Sequence, residues 1–276
     1  MNRKFADVPA GADNPLNYAV ALRDQDTLDT VREAIEHRQT LLAYQPVMRT
    51  DKPGQVGFYE GLIRVLDPTG RVIPATDFMH AIEPTEIGRQ IDVLSLRHGL
   101  HALKANPTLR LSINMSARSI GFRPWVNTLN RFLNEDAGIS HRLILEITES
   151  SAMTVPELVV DFMDRMQHTG VCFALDDFGA GYTAIRYFKD FFFDVLKIDG
   201  SFIRGLAADR DNQALTRAMV DIAQHFSMLT VAECIETAED AECAIRMGVD
   251  CLQGYHFGAP ALRPAWMRDA QMRRSG

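Results

Sequence analysis

Eight short apolar runs alternate along the chain with amphipathic helical segments, and this alternation constrains the fold more than any other feature. Strands that alternate with helices favour a parallel sheet, because a helix supplies the crossover between parallel strands. A further helix is predicted at about 26–37, where Asp26 or Thr27 would cap it. The predicted strands are 41–48, 56–66, 110–117, 143–149, 171–178, 193–199, 229–236 and 250–257, and the main helices are 87–105, 156–168, 212–226 and 238–247.

Eight such units favour a closed barrel over an open doubly wound sheet, which would carry a glycine-rich fingerprint after its first strand. A short polar turn at residues 50–54 joins the first two strands and leaves no room for a helix. Those two strands are therefore expected to be antiparallel. The sequence predicts an α/β fold, a modified TIM-type (β/α)8 barrel with an antiparallel first strand. It would occupy residues 26–265, between a loose N-terminal segment (1–25) and a C-terminal tail (266–276).

Bulk properties exclude several classes of protein. A formal net charge of −7 argues against a partner that is a polymeric nucleic acid, although bound cations would still allow a small anionic ligand. The sequence has no apolar stretch near the roughly 18 residues of a membrane span and no signal-peptide core at its start. Its four cysteines contain no C-x-x-C pair and are expected to be free thiols. These features together predict a cytoplasmic protein.

Polar residues stand near the carboxyl ends of the predicted strands, where a barrel collects its active site. Side chains alternate faces along a strand, so Asp176 shares a face with the small residues Cys172 and Ala174, which suits a barrel interior. The same alternation can turn six further polar residues inward: Glu60, Asn114, Glu146, Lys197, Glu233 and Gln253.

Carboxylates that converge at one mouth repel each other unless cations neutralise them. Oxygen ligands point to two hard divalent ions, Mg²⁺ or Mn²⁺, with Asp176 as the bridging residue and Asn114 as a neutral ligand. Lys197 would hold the attacking water or stabilise charge on the phosphoryl oxygens, and Arg64 would grip a phosphate. The expected carboxylate set is Glu60, Glu146, Asp176, Asp177 and Glu233.

Each of these residues alone has a plainer explanation. A glutamate at a strand end is more often a solvated end residue, Lys197 a snorkelling lysine and Asn114 a turn residue. Asp177-Phe178-Gly179 matches the metal-binding triplet of protein kinases by chance, since the other kinase motifs are missing. The shared strand ends and matching parity favour one site over these separate explanations.

The same residues lie in motifs that resemble those of the EAL-domain cyclic di-GMP phosphodiesterases. The resemblance extends from about Leu41 to Pro260. The motifs are Tyr44-Gln45-Pro46, Glu60-Gly61-Leu62-Ile63-Arg64, Ser112-Ile113-Asn114-Met115-Ser116, Leu145-Glu146-Ile147-Thr148-Glu149, Leu175-Asp176-Asp177-Phe178-Gly179-Ala180-Gly181-Tyr182, Leu196-Lys197-Ile198-Asp199, Ala232-Glu233-Cys234-Ile235-Glu236 and Gln253-Gly254-Tyr255.

The resemblance implies hydrolysis of cyclic di-GMP to linear 5′-pGpG by a homodimer. It implies that Asp176 is shared by two ions, that Lys197, Glu233 and Glu60 act in catalysis, and that Glu149 anchors the loop 178–184. One ion would have the ligands Glu60, Asn114, Glu146 and Asp176, and the other Asp176, Asp177 and Glu233. The expected substrate contacts are Gln45, Leu62, Arg64, Gln253 and Tyr255.

The sequence departs from the family pattern at three positions. Thr183 stands where serine is common, which is a small change, and two other departures leave alternatives open. Gly61 stands where the family has alanine and Cys234 where it usually has glycine; by parity, both positions face away from the site. Because no expected ligand is missing, an active enzyme is favoured over a receptor that binds cyclic di-GMP without turnover. A scaffold with a vestigial pocket is the third reading.

Overall fold

The computed structural model describes residues 15–181 and 188–267. The chain forms two compact units: one contains the described parts of residues 1–41 and 63–91, and the other contains residues 42–62 and the described parts of 92–276. The limits 1–25, 26–265 and 266–276 predicted from the sequence stay predictions. No helix among the described residues combines the length and the apolar composition that crossing a bilayer requires.

The larger unit contains the barrel strands except residues 40–41 and 63–66, which belong to the smaller unit. Each predicted strand is present, although the strands predicted at 110–117, 229–236 and 250–257 end three or four residues earlier than predicted. In chain order the strands are β1 (Thr40–Arg49), β2 (Val56–Leu66), β3 (Val72–Pro74), β4 (Leu111–Asn114), β5 (Leu143–Thr148), β6 (Cys172–Phe178), β7 (Val195–Ile198), β8 (Leu229–Ala232) and β9 (Cys251–Gln253).

Eight of these strands close into the barrel. Parallel pairing runs from β2 through β4, β5, β6, β7 and β8 to β9. Strand β1 closes the ring, pairing with β2 and, antiparallel, with β9. The predicted barrel with an antiparallel first strand is therefore confirmed. Strand β3, which the sequence did not predict, pairs antiparallel with Arg64–Leu66 at the end of β2 and belongs to the smaller unit.

The helices end within a few residues of their predicted limits where glycine or proline marks the boundary. Pro156 opens its helix, and Gly170 and Gly248 follow two helices with positive φ angles of 98° and 86°. The helices are α1 (Pro15–Glu36), α2 (Met79–Ile82), α3 (Glu86–Ala105), α4 (Arg123–Glu135), α5 (Glu149–Thr154), α6 (Pro156–Gln167), α7 (Gly200–Ile203), α8 (Arg210–His225) and α9 (Ala238–Arg246).

The first helix is longer than predicted. It begins at Pro15, whereas the sequence placed its start at Asp26 or Thr27. Thr27 is not a cap, because its Oγ1 donates to the backbone oxygen of Arg23, 2.8 Å away, inside the helix. All four cysteines are free thiols, as predicted.

Glycine at position 61 is explained by the packing between the barrel and its helix layer. A Cβ built on Gly61 would lie 2.6 Å from Cδ1 of Ile113 and 2.9 Å from Cδ2 of Leu42. Ile113 also fills the space above Gly99 on α3, where an added Cβ would lie 2.5 Å from the same Cδ1. Position 61 therefore faces apolar side chains rather than the site, as parity predicted, and the isoleucine occupies the volume of the missing methyl group.

We expect Gly61→Ala to destabilise the protein by about 1–3 kcal/mol, because the added methyl group overpacks against Ile113. In an Ile113→Val background, which removes Cδ1, the cost of the same change should fall by a measurable coupling energy. Urea unfolding of the four members of this cycle measures it. Gly121→Ala is the control, since nothing lies within 4 Å of a Cβ there. Equal costs in both backgrounds would contradict this account of the packing.

Candidate metal and catalytic site

The carboxyl ends of the barrel strands bring acidic and amide side chains to one rim. Asn114 on β4 stands in register with Glu146 on β5, and Glu60 on β2 is in register with Ser112 on β4. Lys197 lies on β7, and Glu233 directly follows β8. Since neighbouring strands lie about 4.8 Å apart, this register places residues from distant parts of the chain within reach of one another.

Lys197 is at the centre of the cluster, and its side chain is only 1% exposed. Its Nζ lies 2.8 Å from Oε2 of Glu146 and 2.8 Å from Oδ1 of Asp176. It also lies 2.7 Å from Oε1 of Glu233 and 3.5 Å from Oε2 of Glu60. One buried ammonium group therefore contacts carboxylates from four different segments of the barrel.

Two amide side chains fix the orientation of Glu60. Asn114 Nδ2 donates to Glu60 Oε1 at 2.7 Å, and Gln253 Nε2 donates to Oε2 at 2.6 Å. Gln253 Nε2 also donates to Oε1 of Gln45 at 3.1 Å, and Gln45 donates in turn to the backbone oxygen of Gly258. Burial raises the pKa of Glu60, but the Lys197 charge and these hydrogen bonds outweigh burial and lower it overall.

A β-bulge explains how two consecutive aspartates reach one point. The register between β6 and β7 shifts between Leu175 and Phe178, and Asp177 has a φ of 55°, in the left-handed region. The bulge breaks the alternation that would send neighbouring side chains to opposite faces. Ligand oxygens of Asp176, Asp177 and Glu233 consequently lie within 4.8 Å of one another.

The residue after Glu233 is also left-handed, which explains why glycine suits that position. Cys234 has a φ of 54°, and its Sγ accepts a hydrogen bond from Nη2 of Arg204 at 3.0 Å. A Cβ built on Gly200 of α7 would lie 2.5 Å from the Cys234 sulfur, so the thiol occupies space that Gly200 leaves open. The Cys234 side chain thus points away from the carboxylates, as parity predicted.

Glu149 contacts the loop that follows the aspartate pair. Its buried carboxylate accepts a hydrogen bond from the backbone N–H of Gly179 at 3.2 Å through Oε2. Gly179 has a φ of 96°, and an added Cβ would meet the Phe202 ring at 2.6 Å. Residues 182–184 of the predicted loop lie outside the described residues.

The predicted substrate contacts differ in their surroundings. Gln45 is buried beneath Gln253, Leu62 is half-buried, and Tyr255 is 71% exposed. Arg64 belongs to the smaller unit, where its Nη1 donates to the backbone oxygen of Ile63 at 2.9 Å. Their roles in substrate binding stay predictions.

Sequence reasoning missed two residues that hold the backbone after Asn114. Oδ2 of Asp92 on α3 accepts from the Ser116 N–H at 3.0 Å and from the Ser119 hydroxyl at 2.6 Å. From the other side, Ser151 Oγ on α5 accepts from the Ala117 N–H at 2.8 Å. An aspartate within the apolar pattern of the predicted helix 87–105 was the available signal, because an acidic residue there is buried only with partners.

The acidic cluster is electrostatically strained without cations. Burial, with the neighbouring Glu60 charge, raises the pKa of Glu146 to about 8. Burial also raises the pKa of Glu233 well above its usual range, with the Asp176 charge acting in the same direction. Desolvation and the Asp176 charge raise the pKa of Asp177, the exposed member, to about 6. The surrounding carboxylates outweigh burial at Lys197 and raise its pKa, so it stays charged.

The donor set fits two hard divalent cations. Five carboxylates and one ammonium group leave four negative charges when all are ionised, which two such ions would neutralise. Oε1 of Glu146 is buried and has no hydrogen-bond partner among the described residues, as expected of a group reserved for a ligand. Asn114 uses its Nδ2 on Glu60, which leaves its carbonyl oxygen as a neutral ligand.

These pKa shifts predict how cation binding depends on pH. Without ions, Glu146 keeps its proton to about pH 8 in the folded state but loses it near its ordinary value of 4.5 when unfolded. Its contribution to stability is therefore present at low pH and lost as the pH rises towards 8. Cations displace protons from Glu146 and Asp177. The affinity for cations should therefore fall by about tenfold for each unit by which the pH is lowered, for each proton displaced.

We therefore expect Mn²⁺ to raise the melting temperature more at pH 8.5 than at pH 6, with calorimetric titrations measuring the affinity directly. Glu146→Gln should reduce the pH dependence of the Mn²⁺ affinity near pH 8. Glu135→Gln, which changes an exposed carboxylate paired with Lys104, should leave it unchanged. An affinity that does not vary between these pH values would contradict the prediction.

Comparison with known proteins agrees with this geometry. Residues 28–260 match the EAL domain family. The cyclic di-GMP phosphodiesterase PdeF of Escherichia coli K12 is 30% identical over 237 residues, which cover 84% of this chain and 31% of PdeF. PdeB of Shewanella oneidensis, also a cyclic di-GMP phosphodiesterase, is 29% identical over 234 residues, 83% of this chain and 27% of PdeB. The chain thus spans less than a third of the length of these two relatives.

Solved structures share the barrel. The PaMucR phosphodiesterase in complex with c-di-GMP is 30% identical, with a TM-score of 0.75 over 88% of this chain and 99% of that one. The FimX EAL domain of Xanthomonas citri, in complex with c-di-GMP, shares the fold at 23% identity, with a TM-score of 0.77 over 89% of this chain and 98% of that one. With a family match over most of its length and the same barrel around its acidic rim, this chain belongs to the EAL domain family.

Proposed function

We propose that this protein is a metal-dependent phosphodiesterase that hydrolyses cyclic di-GMP to linear 5′-pGpG. The observation that carries the proposal is the cluster of four carboxylates in contact with buried Lys197, with Asp177 beside two of them, at the carboxyl end of an EAL-type barrel. Relatives named as cyclic di-GMP phosphodiesterases, and a phosphodiesterase of the same fold bound to c-di-GMP, support the choice of substrate.

Two ions, Mg²⁺ or Mn²⁺, would be held by residues already gathered at this rim. Asp176 would be the shared ligand, because it groups with Asp177 and Glu233 and contacts the same Lys197 ammonium as Glu60 and Glu146. Glu60, Asn114 and Glu146 complete one set, and Asp177 and Glu233 complete the other. When bound, the ions would polarise the phosphodiester and lower the pKa of a water molecule.

The chain's own groups would position the reactants and move the protons. Hydrolysis forms one P–O bond from water and breaks the P–O3′ bond, and the 3′ oxygen takes up a proton. The Lys197 ammonium would hold the water and stabilise the negative charge that develops on the phosphoryl oxygens. Glu233, within reach of that ammonium, would accept the proton that the water loses and return it to the 3′ oxygen. Glu60 would act in catalysis as a ligand that Asn114 and Gln253 orient.

The two departures from the family pattern do not favour the receptor alternative. Gly61 faces Ile113 and Leu42, and Cys234 faces Gly200 and Arg204. Neither position carries a side chain directed at the carboxylates. These two residues therefore give no structural reason to expect a protein that binds cyclic di-GMP without hydrolysing it.

The proposal also covers the substrate contacts, the loop anchor, the oligomeric state and the location of the protein. Gln45, Leu62, Arg64, Gln253 and Tyr255 are proposed substrate contacts, and Glu149 is the proposed anchor of the loop after Asp177. A homodimer and a cytoplasmic location are proposed from the family resemblance and from the charge and composition of the chain.

We expect purified protein with Mn²⁺ or Mg²⁺ to convert cyclic di-GMP to 5′-pGpG, as measured by chromatography with mass identification of the product. Asp176→Asn, which keeps the side-chain shape and removes the shared negative charge, should lower kcat by at least about 100-fold. Glu60→Gln should have a comparable effect, because it removes the negative charge of a proposed metal ligand.

Glu135→Gln is the matched control and should retain full turnover, since its carboxylate pairs with Lys104 at the surface. Circular dichroism and unfolding curves show whether each variant is folded. Tight binding of cyclic di-GMP by folded protein, with no product in either metal, would support the receptor alternative. The absence of both binding and turnover would reject both activities.

A further inference from the structure

The amino-terminal mouth of the barrel, at the opposite ends of the strands from the carboxylates, opens into a cavity of about 530 Å³. This volume lies within the range of roughly 300–1,000 Å³ that is typical of small-molecule sites. Barrels usually fill this region with packed side chains. Here the floor of the cavity is apolar: Phe58, Val195, Val231 and Cys251 pack in a buried cluster, and Ile144 and Cys172 lie partly exposed beside it.

Most polar groups around the mouth already have partners. Arg49 makes two hydrogen bonds to Asp51, at 2.8 and 2.6 Å. Arg142 donates to backbone oxygens, including that of Leu103 at 2.8 Å. Asp194 accepts from the Phe173 N–H at 2.8 Å. Asp250 likewise accepts from the N–H and the hydroxyl of Thr230.

Two donors at the mouth have capacity left. The side chains of Arg110 and His141 are exposed, line the cavity and make no hydrogen bond or ion pair with the described residues. Arg110 is a permanent cation with five N–H donors. An incoming molecule would therefore meet an apolar interior and, at its entrance, donors that suit an anionic oxygen group.

The cavity wall lies one layer below the acidic rim. Val195 precedes Lys197 by two positions on β7, and Val231 precedes Glu233 by two positions. Phe58 and Glu60, Ile144 and Glu146, and Cys251 and Gln253 are related in the same way. Because residues two apart on a strand share a face, a molecule in the cavity would pack beneath the side chains that hold the carboxylates.

We infer that this mouth is a second ligand site, which takes a small aliphatic monocarboxylate free in solution. The alkyl chain lies against Phe58, Ile144 and Cys172, and the carboxylate receives hydrogen bonds from Arg110 and His141. The site is separate from the catalytic rim, and binding there does not require that the protein hydrolyse cyclic di-GMP.

Decanoate, below its micelle concentration, is the probe, and calorimetry with the full chain measures its binding. We expect saturable binding with one molecule per chain. 1-Decanol and decyltrimethylammonium, which carry the same alkyl chain with neutral and cationic heads, should bind at least about tenfold more weakly, because they cannot form the charge-assisted hydrogen bonds.

Two variants locate the site. Arg110→Gln should weaken the binding of decanoate by about tenfold and leave the binding of decanol unchanged. Arg123→Gln, at an exposed arginine on α4, should change neither affinity. Ile144→Phe places extra volume in the cavity and should abolish decanoate binding. Circular dichroism of each variant verifies the fold.

Three results would overturn the inference. The first is that decanoate shows no saturable binding. The second is that decanoate, decanol and decyltrimethylammonium bind equally well, and the third is that a folded Ile144→Phe protein binds decanoate with unchanged affinity. Turnover of cyclic di-GMP is measured on the same preparations. A protein that binds decanoate but does not hydrolyse the dinucleotide would reject the proposed function and leave this inference standing.

Discussion

A single buried ammonium group, that of Lys197, holds the functional end of the barrel together. Its Nζ lies within 3.5 Å of carboxylates that come from β2, β5 and β6 and from the segment after β8. Removing the cation from a buried ion pair typically costs about 3–5 kcal/mol, because the charge left behind is buried without a partner. Strand register and charge balance therefore constrain each other: a slip of one residue would turn a carboxylate away from the only cation that these four share among the described residues.

Irregular backbone conformations at the ends of two strands orient carboxylates in ways that regular strands cannot. The left-handed φ angles of Asp177 and Cys234 lie beside Asp176 and Glu233, at the two points where the rim departs from ideal alternation. Such conformations cost about 1–3 kcal/mol each and persist where surrounding contacts enforce them. Glu149 supplies one such contact through the Gly179 N–H. The bulge lets consecutive aspartates face the same point, and this is the arrangement that two neighbouring cations would use.

The sequence predicted the barrel well because its signals are local. Apolar alternation marked every barrel strand, and parity placed Asp176 and Lys197 inward and positions 61 and 234 outward. Other features depend on contacts between distant segments. The bulge at Asp177 depends on how β6 pairs with β7, and the support of Asn114 depends on Asp92 from another element. The three-residue β3 is too short to leave a periodic pattern. The early start of α1 did have a signal in the sequence, since asparagine before proline, as in Asn14-Pro15, is typical of a helix start.

The side chains on the two faces of each barrel strand have different roles. Large apolar side chains point outward to the helices, and Leu111, Ile113, Leu145, Phe173 and Leu196 are fully buried there. Most of the hydrophobic stabilisation therefore comes from the layer between sheet and helices. The interior is left with smaller residues such as Ala174, Val195 and Val231 below and charged residues above. Below the ionised groups these residues pack into an apolar cluster, which separates the charged rim at one end of the barrel from the cavity at the other.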